Sequence, residues 1–457
     1  MTKIDDVIAA LRTGFSGTLI HPADAAYDTA RTVMYGGYDR HPGLIARART
    51  VADVQRVVDV ARDTGIELAV RSGGHSNAGH STTEGGLVLD LRDMTAIAVD
   101  PAQKTLTAES GATAIAVTRA ALAHDLVVGF GDAGSVGIGG ITLGGGVGYL
   151  VRKWGLTIDS LLAAEIVIAD GRRLTASATD NPELFWALRG GGGNFGVVTS
   201  LTYALAELPA FTGGMLCLPA TAETLAGFVA AAENAPDELS TIANVMPAPP
   251  MPFLPPELHG KLVILGMLAF AGPDADAQRA LAPFRALARP YADFVKPGPY
   301  TQMYPPEDPD YHPTAVARNM FMDHIGLSEA RTIIDRLDQS DAVFRVAQIR
   351  VLGGASARVP ADATAYGHRE AAIMVNLAAF WTTPEDQAKQ QAWVDRFRAD
   401  LTQQTQGAYV NFLMAEGHER IRSAYPGAIW DRLRLVKRQY DPTNLFRLNQ
   451  NIAPADA

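Results

Sequence analysis

The stretch VRSGGHSNAGHST, residues 70–82, closes an apolar run with an arginine, two glycines and a histidine, and a second histidine follows at position 80. Three kinds of chemistry fit His75. It could be a hydrogen-bonded polar loop residue. It could ligate a metal together with His80, although a five-residue spacing suits neither a strand nor a helix and no third ligand is evident. It could also be a nucleophile toward a cofactor, because neutral imidazole carries a free lone pair near neutral pH. The residues alone leave all three open.

Glycine is the second chemical signal. The chain has 43, and they cluster between 71 and 196 in SGGH, GFGDAG, VGIGGITLGGGVG and RGGGGNFG. Bare backbone of this kind lets a ligand approach closely, and its N–H groups form a nest for an anion such as a pyrophosphate. Gly129, Gly131 and Gly134 match G-x-G-x-x-G, as do Gly191, Gly193 and Gly196. A dinucleotide site of the Rossmann type needs that motif between a strand and the helix it opens. The first match runs on through VGIGGITLGG with no helix expected, and the second follows a helix and enters the strand VVTSLTYAL. No Walker lysine follows any cluster; Lys153 sits in VRKWG, outside a G-K-[ST] context. A phosphate-bearing cofactor held by backbone is favoured over a nucleotide hydrolase.

The elements that must position these residues fall into two styles. VADVQRVVDVARDTG has apolar residues at helical spacing, and IELAVR after it reads as a strand. GLVLDL, TLTAES and LAAEIVIADGRRL follow as short strands, the last turning at Asp170-Gly171. NPELFWALRG reads as a short helix with Asn181 as N-cap and Pro182 in its first turn. Beyond residue 206, PDADAQRALAPFRALA and SEARTIIDRLDQS read as amphipathic helices. They alternate with the strands GGMLCLPA, KLVILGMLAFAG, RVAQIRVLGG and AAIMVNLAAFW, which predicts an α+β unit on an antiparallel sheet. PAPPMPFLPPELHG is a proline-rich loop, and the tail YDPTNLFRLNQNIAP is polar and turn-rich.

The bulk composition narrows the class. At 457 residues two or three domains are expected. Apolar residues at 47% and charged residues at 19% fit a soluble globular protein. Lys plus Arg number 39 and Asp plus Glu 49, a net charge of −10 that argues against nucleic acid or an anionic membrane as partner. The sole cysteine, Cys217, excludes an intramolecular disulfide and fits a reducing compartment. No signal peptide or membrane-spanning run is read, so a cytoplasmic location is the expectation.

Taken in order, AVRSGGHSNAG, GGLVLDLRDM, GSVGIGGITLGGGVGYLVRKWGLTIDSLLAAEIVIADGR, LFWALRGGGGNFGVVTS and YDPTNLFRLNQNIAP closely resemble the berberine bridge enzyme-like flavoproteins of the vanillyl alcohol oxidase superfamily. The resemblance spans about Arg31 to Pro454 and is nearest to the bacterial 6-hydroxy-D-nicotine oxidase-like branch. It implies a PCMH-type FAD-binding domain over 1–205, a substrate domain over 206–410 whose antiparallel sheet covers the flavin, and a returning C-terminal segment over 411–457. It implies FAD bonded covalently through its 8α-methyl carbon to His75, the histidine of R-x-G-G-H. Further FAD contacts are implied at Arg71, Ser72, Gly73, Gly74, Ser76 and Gly79. Others fall at Asp132, Val136, Gly137, Gly140, Thr142, Gly145 and Tyr149, with Val198 and Asn449 toward the adenine or flavin end. His80 lies outside the motif and reads as a loop residue. Ala133 stands where many members carry a second, cysteinyl link, so one covalent bond is expected. Val136 occupies the position that controls oxygen approach in the family, and valine there resembles oxygen-reactive members.

On the substrate side, strand alternation puts Gln348, Arg350 and Leu352 on one face. Gln348 resembles a position where the family carries a polar or acidic catalytic residue, and Arg350 is the next catalytic candidate, an exposed strand face being the alternative. In AYVNF, Tyr409 resembles a residue near the flavin that serves as base, with Asn411 on the same strand face. Asn376 and Trp381 are pocket-lining candidates. Gln348 in place of a glutamate argues against ring-closing bridge chemistry. The expected activity is hydride transfer from a C–H beside O or N of a small molecule to the flavin, with O2 as acceptor. A flavin dehydrogenase with another acceptor, or a flavin-binding protein without turnover, are the alternatives. No metal is expected, and substrate identity and oligomeric state stay open.

Overall fold

Helical spacing in VADVQRVVDVARDT becomes the helix Val51–Thr64 because both of its ends are specified. In the computed structural model, which describes residues 3–304 and 306–456, Thr50 Oγ1 accepts the Asp53 N–H at 3.1 Å while the Asp53 carboxylate accepts the Thr50 N–H at 3.1 Å. Gly65, at φ 63°, closes the other end. The helix buries Val54, Val57, Val58 and Ala61 against a four-stranded sheet ordered Thr18–Ile20, Leu44–Arg47, Leu87–Asp90, Leu68–Arg71. The last three strands run parallel, and near-continuous apolar sequences such as LVLD suit strands covered on both faces. His75 lies just beyond the end of the strand Leu68–Arg71.

An antiparallel sheet of five strands follows, ordered Ile97–Asp100, Thr105–Glu109, Val197–Ala204, Leu161–Val167, Arg173–Ser177. Its last hairpin turns at Asp170-Gly171, where Gly171 takes φ 85°.

The second half is built on an antiparallel sheet of eight strands. Its main run is Thr212–Pro219, Leu262–Phe270, Leu239–Pro247, Arg345–Val351, Ile373–Phe380, Ala315–Met322. The helices Ala222–Glu233, Asp274–Arg285, Leu327–Asp338 and Pro384–Leu401 cover one face, burying Phe228, Phe284, Ile333 and Phe397. The α+β architecture expected from the sequence is the one observed. The strand Leu239–Pro247 escaped the sequence reading because Ser240 and Thr241 are buried beside its apolar residues, which erases the alternation. The other face turns toward the first half through Tyr149, Phe211, Ile242, Tyr300 and Tyr304. The tail returns to the first half: Leu433 and Val436 of the helix Ile429–Tyr440 join the cluster of Trp186 and Leu188, and Leu445 and Phe446 join that of Val54 and Val57.

Three local expectations change. VGIGGITLGG contains a helix, Ile138–Leu143, because the close contact of Gly137 with Gly73 fixes its first turn where glycine-rich sequence alone gave no helix signal. The strand before it, Leu126–Val127, pairs antiparallel with Ala206–Glu207, so the order is still not that of a Rossmann unit. Asn181 precedes the helix Pro182–Leu188 but sits at φ 50° and gives its side-chain N–H to Thr175 O, so it does not cap. Val410–Phe412 is a 3-10 turn rather than a strand. Among the described residues no helix is long and apolar enough to cross a membrane, and no cluster of His, Cys, Asp and Glu is arranged to hold a metal.

Candidate active site

The glycine-rich loops meet backbone to backbone. A Cβ on Gly73 would lie 2.3 Å from Gly137 N, and one on Gly137 would lie 2.3 Å from Gly73 N. Ser72 Oγ donates to Ser110 O at 2.6 Å and pins the first loop to the strand end beside it. The loops border a cleft of about 340 Å³, walled also by the segment 192–198, the turn 409–413 and the tail 446–450. Gly140 and Gly193 face it with nothing within 4 Å of a would-be Cβ, so bare backbone is open to a ligand there.

His75 lies in the cleft wall. Its Nε2 is 2.9 Å from Ser135 Oγ, and Ser135 in turn donates its hydroxyl to Glu307 Oε2 and its N–H, at 3.1 Å, to Glu307 Oε1. Burial lowers the His75 pKa and Glu307 offsets this only in part, so the imidazole is neutral at neutral pH. His80 is in the wall too. Its Nε2 is buried without a partner, and burial, with Arg40 nearby, pushes its pKa down to about 4.

Elsewhere in the wall the Tyr409 hydroxyl oxygen accepts the N–H groups of Gly146 at 2.9 Å and Val147 at 3.3 Å, and the Asn411 amide at 2.9 Å. Burial raises its pKa, against the lowering effect of those bonds and of Arg350. Asn411 also donates to Ile141 O at 3.0 Å. Gln348 and Arg350 share a strand face, as the alternation predicted, and reach the cleft through Asp132. Arg350 Nη2 donates to Asp132 Oδ2 at 2.5 Å and Nη1 to Gln348 Oε1, while Gln348 Nε2 donates to Asn244 Oδ1 at 2.9 Å. Asp132 is the one carboxylate among the described residues of the cleft wall.

Ser72, Gly73, Gly74, Ser76, Asp132, Val136, Gly137, Gly140, Val198 and Asn449 all border the cleft. Five other expected contacts do not. Arg71 is fully buried and donates to Ser81 O, Ala30 O and Arg31 O, bracing the loop from behind. Gly79, at φ 68°, packs under the Tyr38 ring. Thr142 is paired with the Tyr203 hydroxyl at 2.8 Å. Gly145, at φ 129°, makes room for Tyr366 and Tyr409, and Tyr149 is buried between the two halves with Tyr300 and Tyr304. Asn376 lies opposite Gln348 in the sheet and Trp381 packs near Gly37, both off the cleft wall. Sequence reasoning missed Ser110, Ser135 and Glu307. Ser135 adjoined a motif residue, whereas nothing in PPEDPDYHP marked Glu307.

A cleft walled by glycine loops, the turn 409–413 and the returning tail, with a neutral histidine in its wall, fits a cofactor-dependent oxidoreductase of two halves. Residues 42–177 match the family described as FAD binding domain, and residues 408–453 match that described as berberine and berberine like. The chain is 31% identical to (R)-6-hydroxynicotine oxidase of Paenarthrobacter nicotinovorans, over 96% of this chain and 97% of the relative. It is 30% identical to the uncharacterized FAD-linked oxidoreductase YgaK of Bacillus subtilis, over 97% and 98%. The crystal structure of 6-hydroxy-D-nicotine oxidase from Arthrobacter nicotinovorans superposes with a TM-score of 0.83 at 28% identity, covering 97% of this chain and 99% of that one. The chain belongs to the berberine bridge enzyme-like family of FAD-linked oxidoreductases.

The residues present fit FAD. His80 Nε2, Ser110 Oγ and Asn449 Oδ1 are buried, unpartnered and on residues of the cleft wall. Each such atom costs about 1–3 kcal/mol until something bonds it. A ligand carrying many acceptors and donors, laid along bare glycine backbone, would satisfy all three.

Proposed function

We propose that this enzyme is an oxidase of a small organic molecule, with its FAD tethered by one covalent bond to His75. When bound, FAD would supply the acceptor for a hydride from a substrate C–H beside O or N and the donor of its electrons to O2, giving H2O2. The observation that carries the tether is His75 itself: a neutral, partly buried imidazole in the cleft wall, beside the contact of Gly73 with Gly137. Ala133 offers no thiol for a second bond. The backbone around Ser72–Ser76 and Gly137–Gly140 would hold the pyrophosphate, and the 192–198 segment with Asn449 would hold the far ends.

Tyr409 keeps its proton at neutral pH because burial dominates. With its oxygen occupied by three N–H donors, its own hydrogen is left to orient substrate. The proton leaving the substrate's O–H or N–H goes to Asp132 Oδ1, while Arg350 holds Oδ2 and Gln348 and Asn244 hold Arg350 in place. Val136 in the wall leaves O2 a path. The test is acid precipitation of the purified protein. Yellow colour stays with the wild-type pellet and moves to the supernatant for His75→Ala; colour retained in that variant refutes the tether. Anaerobic bleaching by a substrate that air fails to reverse refutes O2 as acceptor.

A further inference from the structure

Glu307 comes from the substrate half, in the segment between the 3-10 turn Tyr300–Met303 and the strand Ala315–Met322, yet its carboxylate closes on Ser135 in the cofactor half. Both of its oxygens are engaged there, one by the Ser135 N–H and one by the Ser135 hydroxyl. An ionised carboxylate only accepts hydrogen bonds, so the hydroxyl hydrogen must point to Glu307. The Ser135 oxygen is then left with lone pairs toward His75 Nε2, 2.9 Å away. The chain of bonds therefore has one direction: Nε2–H to Oγ, O–H to Oε2. It fixes the imidazole tautomer with hydrogen on Nε2 and the lone pair on Nδ1.

We infer that Glu307 and Ser135 are positioning residues for formation of the His75–flavin bond, holding the imidazole in its nucleophilic tautomer and drawing off its ring proton. The inference rests on the tether proposed above. In the step, a bond forms between a His75 ring nitrogen and the flavin 8α-methyl carbon, and one C–H bond of that methyl breaks. The methyl proton and the imidazole proton leave, the latter along Ser135 toward Glu307. The two electrons of the broken C–H bond reduce the ring system, and O2 removes them with two protons as H2O2. Each atom and electron is thus accounted for with O2 as the only oxidant. Burial keeps the imidazole uncharged for this purpose, and general acid–base assistance of this type is worth about 10²–10⁴-fold. Because Glu307 belongs to the other half, the bond forms fast only once that half has folded over the cleft.

Full-length protein produced under riboflavin limitation is mixed with FAD in air, and the flavin that stays with the acid-precipitated chain is followed in time. Glu307→Gln and Ser135→Ala should each slow tethering at least tenfold, whereas Ser135→Thr, which keeps the hydroxyl, stays within about twofold of wild type. The Kd for FAD before tethering, read from flavin fluorescence, should be unchanged in Glu307→Gln; this separates positioning from a collapsed cleft. Wild-type tethering rates in Glu307→Gln, or slow tethering in Ser135→Thr, overturn the relay while leaving the tether intact. Flavin tethered in His75→Ala, or none tethered in wild type, overturns the tether itself and the relay with it.

Discussion

Lys437 is the most exacting test of how the tail reaches the cleft. Its ammonium donates to Asp441 Oδ2 at 2.6 Å, to Asn194 O at 2.7 Å and to Phe446 O at 3.1 Å, and neither charged side chain is exposed. Asp441 also accepts the N–H groups of Leu445 at 2.8 Å and Phe446 at 2.9 Å. Asn194, from the RGGGGNFG motif, accepts the Ile452 N–H at 2.9 Å and donates to Gln450 O at 3.2 Å. The pair therefore ties the tail that carries Asn449 to the Asn194 loop beside it in the cleft wall. Lys437→Met keeps the apolar stem but strands a buried carboxylate, at a cost of about 3–5 kcal/mol. Adding Asp441→Asn removes the stranded charge and leaves a deficit of about 1–3 kcal/mol, the scale of one or two lost hydrogen bonds. A chain of two halves is a poor two-state unfolder, so a single melting temperature would mix effects. Amide hydrogen exchange at Leu445, Phe446 and Ile452 reads the tail directly. The single variant should speed exchange there by roughly 10²–10³-fold and lower the FAD content, and the double variant should recover most of the difference. Unchanged exchange in Lys437→Met, or a double variant as labile as the single, would refute the account of the tail as held by this ion pair.

Other consequences follow from the cleft. Gly73→Ala and Gly137→Ala each push a methyl to 2.3 Å from the other loop's backbone nitrogen, which side-chain motion cannot relieve; overpacking by about 1–3 kcal/mol should yield protein with little FAD, measured by absorbance. His80 sits at about 4 in the folded chain against an ordinary 6.5, so its contribution is fully present above pH 6.5 and is lost as pH falls toward 4. That shift is worth about 3 kcal/mol, and amide exchange protection around residues 76–82 should fall less steeply in His80→Gln than in wild type as pH drops from 6.5 toward 4, by about one bound proton. An identical slope would sink the assignment. Asp132→Asn removes the counter-charge of Arg350, whose side chain is 3% exposed; Asp132 is 29% exposed, so solvent limits the loss to about 1–3 kcal/mol, read as faster thermal inactivation.

Local signals with both ends specified were legible: the Thr50–Asp53 box, Gly65, the turn at Asp170-Gly171, and the alternation that puts Gln348 and Arg350 on one face. The ordered motifs pointed to His75, and the structure puts that residue in the cleft wall. What the residues did not reveal is which partner each glycine serves. A Cβ on Gly144 would lie 2.0 Å from Asn411 Oδ1, and one on Gly146 1.9 Å from Thr157 Oγ1. Those glycines admit the protein's own side chains, among them the Asn411 amide that bonds Tyr409, whereas Gly140 and Gly193 open on the cleft. Sequence composition cannot separate the two uses, because both need the same missing Cβ. Glu307 was illegible for a related reason: a carboxylate in a proline-rich loop acquires meaning only when the sheet carries it across to Ser135. The glycine run is thus two surfaces in one segment, one facing the cofactor cleft and one receiving the returning tail, so seating the tail and shaping the cleft are a single structural event.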